Sequence, residues 1–190
     1  MPFDPNPFHK WIHTCKRCTL HRGRTNVVVG AGPQNADVML VGEGPGEKED
    51  MFGEPFVGPA GHLLNRLLER AGLPREKVYI TNIVKCRPPG NRDPEPEEVE
   101  ACRPFLKEQI QIIQPNVLVS IGKHATWYLT GIYGPMGALL VADRDMSYDA
   151  GWTHIPVIPI YHPAYLLRQG SGDRARELFQ DTVRRLVRAR

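Results

Sequence analysis

A chain of 190 residues with 41% hydrophobic content is long enough to bury a sizeable core without staples, and it is read as a single domain over residues 1–190. Its formal charge of +3 is modest and hides an asymmetry, because Arg168 to Arg190 carries seven arginines against Asp173, Glu177 and Asp181. No basic stretch followed by an apolar one opens the chain and no apolar run approaches membrane-spanning length, so the expectation is a soluble intracellular protein with no membrane partner.

Taken in order, residues 1–13 read as an N-terminal arm, proline-rich and without periodicity over Met1 to Lys10. Thr14 to Arg24 is a short cysteine-bearing turn or helix, followed by Val27 to Val29 and the turn Gly30 to Pro33. Ala36 to Gly42 has the continuous apolar character of a strand buried on both faces and runs into a loop whose glycines, Gly42, Gly44 and Gly46, permit tight turns near a ligand. That loop lacks G-x-x-x-x-G-K-[ST] and carries Glu43, Glu47, Glu49 and Asp50, so a nucleotide-phosphate cradle is excluded and a neutral or cationic centre is expected. From Gly61, Leu63, Leu64, Leu67, Leu68 and Ala71 fall at helical spacing, and Gly72 with Pro74 ends the run. Val78 to Asn82 is a second strand. Pro-rich Arg87 to Pro96 leads into a helix from about Glu97 with Val99, Cys102, Leu106 and Ile110 on one stripe. Val117 to Ile121 is a third strand and Gly122-Lys123 opens a helix through Leu129; Gly131 to Thr153 reads as irregular. Ile155 to Ile160 is a fourth strand, which Pro156 and Pro159 mark as edge or bulged. Residues 171–190 form a basic amphipathic helix whose buried stripe is Ala175, Leu178, Phe179, Val183, Leu186 and Val187. Its arginines serve either a polyanion or a solvated face.

Strands alternating with helices predict an α/β fold, a three-layer α/β/α sandwich on a mainly parallel four-stranded sheet. Ligands of such sheets bind beyond the carboxyl ends of the strands, where Glu43, Asn82 and His162 all fall. Cys15 and Cys18 form a C-x-x-C pair, and Cys86 and Cys102 lie far downstream; in an intracellular chain four cysteines favour a metal or cluster site over disulfides. Wide spacing suits an iron–sulfur cluster, and zinc stays open.

The segments Gly42 to Gly46, Glu49-Asp50, Gly53 to Gly58, Thr81 to Pro89 and His162 to Ala164, in this order and with all four cysteines, resemble the family 4, iron–sulfur uracil-DNA glycosylases. The resemblance covers about Cys15 to Leu167. It implies a uracil-DNA glycosylase-like fold and a monofunctional hydrolase that flips uracil out of double- or single-stranded DNA, cleaves its N-glycosidic bond and starts base excision repair. It implies a structural 4Fe-4S cluster on Cys15, Cys18, Cys86 and Cys102, and a monomer acting on prokaryotic nucleoid DNA in the cytoplasm. The alternative is an iron–sulfur protein that binds uracil-DNA without catalysis or traps it covalently; the loop Arg87 to Pro96 has no histidine for such a trap.

Uracil presents a C2 carbonyl, an N3–H and a C4 carbonyl. One Asn82 amide can accept from N3–H and donate to O4, whereas cytosine presents the reverse pattern. Phe56 offers a flat face for a flipped base, a contact worth about 1–3 kcal/mol. Cleavage builds positive charge on the sugar and negative charge on the base: Glu43 suits the first, and His162, helped by N–H groups of Gly42 to Gly44, suits the second. Where the superfamily's best-known pattern has an aspartate after Glu43, Gly44 stands here, which leaves the water-activating group open; Asn91 matches a position that assists. Glu49 is read as lying near C5 of the base or starting a helix, Lys48 as a surface lysine in preference to a Schiff-base nucleophile. Ala164 to Arg168 is read as a wedge with phosphate contacts or as a helix start. Arg87, Arg92 and Lys123 would join the C-terminal arginines along the phosphates. The remaining histidines, His124 among them, read as structural or exposed.

Overall fold

The computed structural model describes residues 11–142 and 146–190; the arm residues Met1 to Lys10 lie outside them. Five strands, β1 (Val38–Gly42), β2 (Tyr79–Asn82), β3 (Val117–Ile121), β4 (Ser147–Asp149) and β5 (His154–Ile160), form one sheet in the order β2-β1-β3-β5-β4. Strands β2, β1, β3 and β5 are parallel, and β4 runs antiparallel to β5. The helices are α1 (Glu47–Phe52), α2 (Pro59–Ala71), α3 (Pro96–Ile113), α4 (Lys123–Thr130), α5 (Met136–Val141), α6 (Pro163–Arg168) and α7 (Asp173–Arg188). None is long and apolar enough to cross a membrane.

Alternate residues of each central strand face opposite layers. Met39, Val41, Leu118 and Val157 pack with Leu106 and Ile110 of α3 and with Ala125 and Leu129 of α4. Val38, Leu40, Val119, Ile121, Ile158 and Ile160 pack with Leu64, Leu67 and Leu68 of α2 and with Leu178 and Leu186 of α7. All five residues of β1 and of β3 are buried, which explains their unbroken apolar runs.

Three expectations are corrected. The strand carrying Pro156 and Pro159 is interior to the sheet. Pro156 precedes the first β3 partner, Val157; Val157 donates to Met146, so Pro159 turns its missing N–H to that same side, beyond Ser147, the first residue of β4. The stretch read as irregular contains α5 and β4, so the sheet has five strands, not four. On α7 the buried line runs through Leu178, Thr182 and Leu186, while Val187 is 49% exposed. At the end of the arm, Ile12 is buried against the cysteine-bearing segment. The edge strand β2 is covered by an antiparallel bridge in which Ala31 and Ile80 exchange both backbone hydrogen bonds.

Candidate active site

A cleft of about 910 Å³ opens over the carboxyl ends of the parallel strands, and Glu43, Gly44, Glu49, Phe56, Asn82, Asn91 and His162 all line it. Gly42 lies directly beneath. Paired with Asn82 across β1 and β2, it has no room for a side chain: a Cβ there would overlap Asn82 Oδ1 and the Phe56 ring. Asn82 is 1% exposed and its Oδ1 is buried with no hydrogen-bond partner among the described residues. A buried acceptor left unpaired costs about 1–3 kcal/mol, and in a cleft it is able to accept from a ligand donor.

Two residues missed in the sequence hold these groups. Lys85 is fully buried and donates to Asn82 O (2.5 Å), Thr81 Oγ1 (2.7 Å) and Gln109 Oε1 (2.6 Å), fixing the end of β2 from below. Burial pulls its ammonium down to about 7, and the nearby Cys102 works the other way. Arg75 donates to Pro55 O (2.6 Å) and Phe56 O (3.3 Å), clamping a loop in which Phe56 takes a left-handed φ of 52°. The Phe56 ring, thus aimed, tilts toward the His162 imidazole at 6.0 Å between centroids.

His162 combines the two readings its position suggested. Its Nδ1 accepts from Ala164 N–H at 3.1 Å as the N-cap of α6. The ring proton of the neutral form therefore sits on Nε2, leaving a donor for the cleft. Burial, with Arg168 adding to it, holds the imidazole down to about 4, so it is neutral near pH 7. Gly122, with φ at 86°, lets the β3 end approach His162, whose Cβ lies 3.3 Å from where a Cβ would stand.

The acidic loop is less open to a ligand than its composition suggests. Asp50 is buried and accepts from Thr25 N and Asn26 N, and Glu49 Oε1 accepts from Val57 N (2.9 Å) and Gly58 N (2.8 Å). Two of the loop's four carboxylates thus tie backbone donors, and Glu47 is exposed. Glu43 accepts from His124 Nδ1 at 2.6 Å, and His124 Nε2 lies 3.5 Å from Asp93. Burial pushes the Glu43 carboxyl up while His124 opposes it. Asn91 has φ at 55°, is exposed, and accepts from Arg87 Nε at 2.7 Å. Backbone held in this sparsely populated region at two cleft residues, Phe56 and Asn91, is the pattern of a preorganised site.

On the far side of Lys85, Cys15, Cys18, Cys86 and Cys102 line a second, small cavity with Ile12, His21 and Arg24. All four are free thiols, and Arg24 donates to Cys86 Sγ at 3.2 Å. Burial pushes Cys18 and Cys86 up and Cys102 up to about 11, so only a bound cation would hold them as thiolates. Four soft donors converging beside Arg24 and Lys85 fit a four-thiolate centre whose negative charge these cations offset. Buried Glu98 ties the cysteine-bearing segment to the cleft: it accepts from Thr19 Oγ1 and from both guanidinium nitrogens of Arg92, a cleft residue.

Residues 29–187 match the family model of the uracil DNA glycosylase superfamily. The chain is 46% identical to the type-4 uracil-DNA glycosylase of Thermotoga maritima over 90% of its own length and 86% of the relative's. It is 46% identical to the type-4 uracil-DNA glycosylase of Archaeoglobus fulgidus over 82% of this chain and 79% of that one. With the enzyme of that type from Sulfurisphaera tokodaii it shares 48% identity, over 82% of this chain and 72% of the relative.

Proposed function

Because the chain belongs to the type-4 branch of the uracil DNA glycosylase superfamily, we propose that the cleft takes up uracil extruded from DNA and that its residues hydrolyse the N-glycosidic bond. The observation that carries the assignment of roles is the orphaned Asn82 Oδ1. Uracil N3–H satisfies it, and Asn82 Nδ2 donates to O4; cytosine, with an acceptor at N3, leaves the oxygen unpaired. Phe56 stacks on the base. His162, neutral and fixed by its cap, donates from Nε2 to O2 and stabilises the departing uracil anion without a proton transfer. Glu43 sits as an anion beside the sugar as positive charge develops there, and Asn91 orients the attacking water on the open side of the cleft.

Cys15, Cys18, Cys86 and Cys102 would hold a 4Fe-4S cluster, which supplies structural cross-linking of the arm to the β2–α3 segment and no chemistry of the reaction. The enzyme is proposed to act as a single-domain monomer on uracil in single- and double-stranded nucleoid DNA. The test is base release from a uracil oligonucleotide by wild type and Asn82→Ala, with a visible spectrum of the same preparation. Expected are release by wild type, a loss of about 10²–10³-fold in the variant, and iron–sulfur absorption in both. Tight DNA binding with no base released by wild type favours the non-catalytic reading.

A further inference from the structure

The three strand-end residues legible in the sequence leave the end of β3 without a role, and the structure fills it with His124. Connections leave β1 and β3 in opposite directions, β1 toward β2 and β3 toward β5, so the crevice between these neighbouring strands is the switch point of the sheet. Glu43 follows β1, His124 stands in the first turn of α4 after β3, and the two side chains meet across that crevice at 2.6 Å. The imidazole is held independently of any substrate. Its edge packs on Trp127 at 4.9 Å and 67°, Trp127 is anchored by its indole N–H to Gly134 O at 3.0 Å, and Asp93 lies at the other ring nitrogen.

Resting on the glycosylase reading above, we propose that His124 is a positioning residue: it holds Glu43, through its Nδ1–H, as an anion at the place where the sugar cation develops. A half-buried carboxylate without that donor would rotate freely and take up a proton more readily. Burial already pushes Glu43 toward its neutral form, and Asp93 adds to this; the His124 hydrogen bond opposes both. The other charged or titratable groups along the cleft are Glu49 on α1, Arg92 on the β2–α3 loop, Lys123 on α4, and Tyr161, His162, Tyr165, Arg168 and Arg174 on the opposite wall. Among these, Glu49 is committed to Val57 N and Gly58 N, Arg92 to Glu98, Arg174 to Glu177, and Lys123 lies over Trp127.

The test is the pH profile of single-turnover base release from single-stranded uracil DNA. It compares wild type, His124→Ala, His124→Asn, His124→Gln and Glu43→Gln, with the melting temperature of each measured. An asparagine amide nitrogen reaches the position of Nδ1, and that of glutamine reaches the position of Nε2. His124→Ala should be about tenfold slower near pH 7, with its acid limb moved up by about one pH unit. His124→Asn should recover most of the rate and the limb, His124→Gln should not, and Glu43→Gln should keep only the limb of His162, at about pH 4. An unmoved limb in His124→Ala, or asparagine and glutamine behaving alike, overturns the proposal and leaves the glycosylase reading standing. Wild type that releases no uracil overturns that reading first, and this proposal with it.

Discussion

At the residue scale, the two ring nitrogens of His162 have separate duties, and the division makes a prediction about pH. Nδ1 is the cap of α6 and must keep its lone pair; Nε2–H is the donor proposed for the leaving base. The folded pKa of about 4 lies below the ordinary value of about 6.5, so between these values the unfolded chain takes up a proton that the folded chain refuses. This group's contribution to stability is therefore fully present above about pH 6.5 and is lost as pH falls through about 4. The difference in unfolding free energy between wild type and His162→Gln, measured by denaturant titration from neutral pH to about pH 4, should shrink by up to a few kcal/mol as pH falls. In contrast, base release should show no limb from His162 on the alkaline side, because its neutral form is the working one; a rate that falls through the ordinary histidine range would show that the imidazolium is the donor. The gathering of Glu43, Asn82 and His162 at one cleft was legible, because all three are polar residues at strand ends. His124 was not, because one histidine in a helix carries no mark of its partner until the topology brings Glu43 to it.

At the scale of elements, the Phe56 loop shows how a remote residue fixes a binding face. Phe56 has a backbone conformation disfavoured for a side chain-bearing residue, Gly61 of α2 packs so closely on its carbonyl that a Cβ would overlap it, and Arg75 supplies the donors. Arg75→Met keeps the length of the side chain and removes those donors, leaving two backbone carbonyls and Asn65 without them. The expected result is a loss of about 1–3 kcal/mol in stability and a larger proportional rise in KM than fall in kcat, since base stacking is the role proposed for the loop. An unchanged KM would separate the clamp from substrate binding. Helix α2 was legible because leucine periodicity alone determines its buried face, whereas the same reasoning failed for β5. Proline signals an edge only when its missing N–H would otherwise face a partner strand, and here one proline precedes its β3 partner and the other points past the first residue of β4. Strand β4 itself, Ser147–Asp149, is three residues long with no buried member, too short for alternation to register.

Across the whole molecule, the arginine-rich C-terminus resolves into two populations with different expected effects on DNA binding. Along α7, Arg176 pairs with Asp173, Arg184 and Arg185 pair with Asp181, and Arg185 also donates to Leu140 O, as a solvated helix laced with its own ion pairs would. Arg168 and Arg174 differ in lining the cleft, Arg174 while also paired with Glu177, so a phosphate flanking an extruded nucleotide would meet these two cations and not Arg176 or Arg184. Counting residues reveals the excess of arginines but not this partition, which depends on where α6 and α7 meet the cleft. Removing one cation that neutralises a phosphate lowers the salt slope of binding by about one. Arg168→Ala and Arg174→Ala, measured by DNA titration across a range of salt, should each reduce that slope by roughly this amount and weaken affinity most at low salt. Arg176→Ala and Arg184→Ala should leave it unchanged. Equal effects from all four would mean that the helix acts through a diffuse basic field, and the cleft would then have no defined track for the strand.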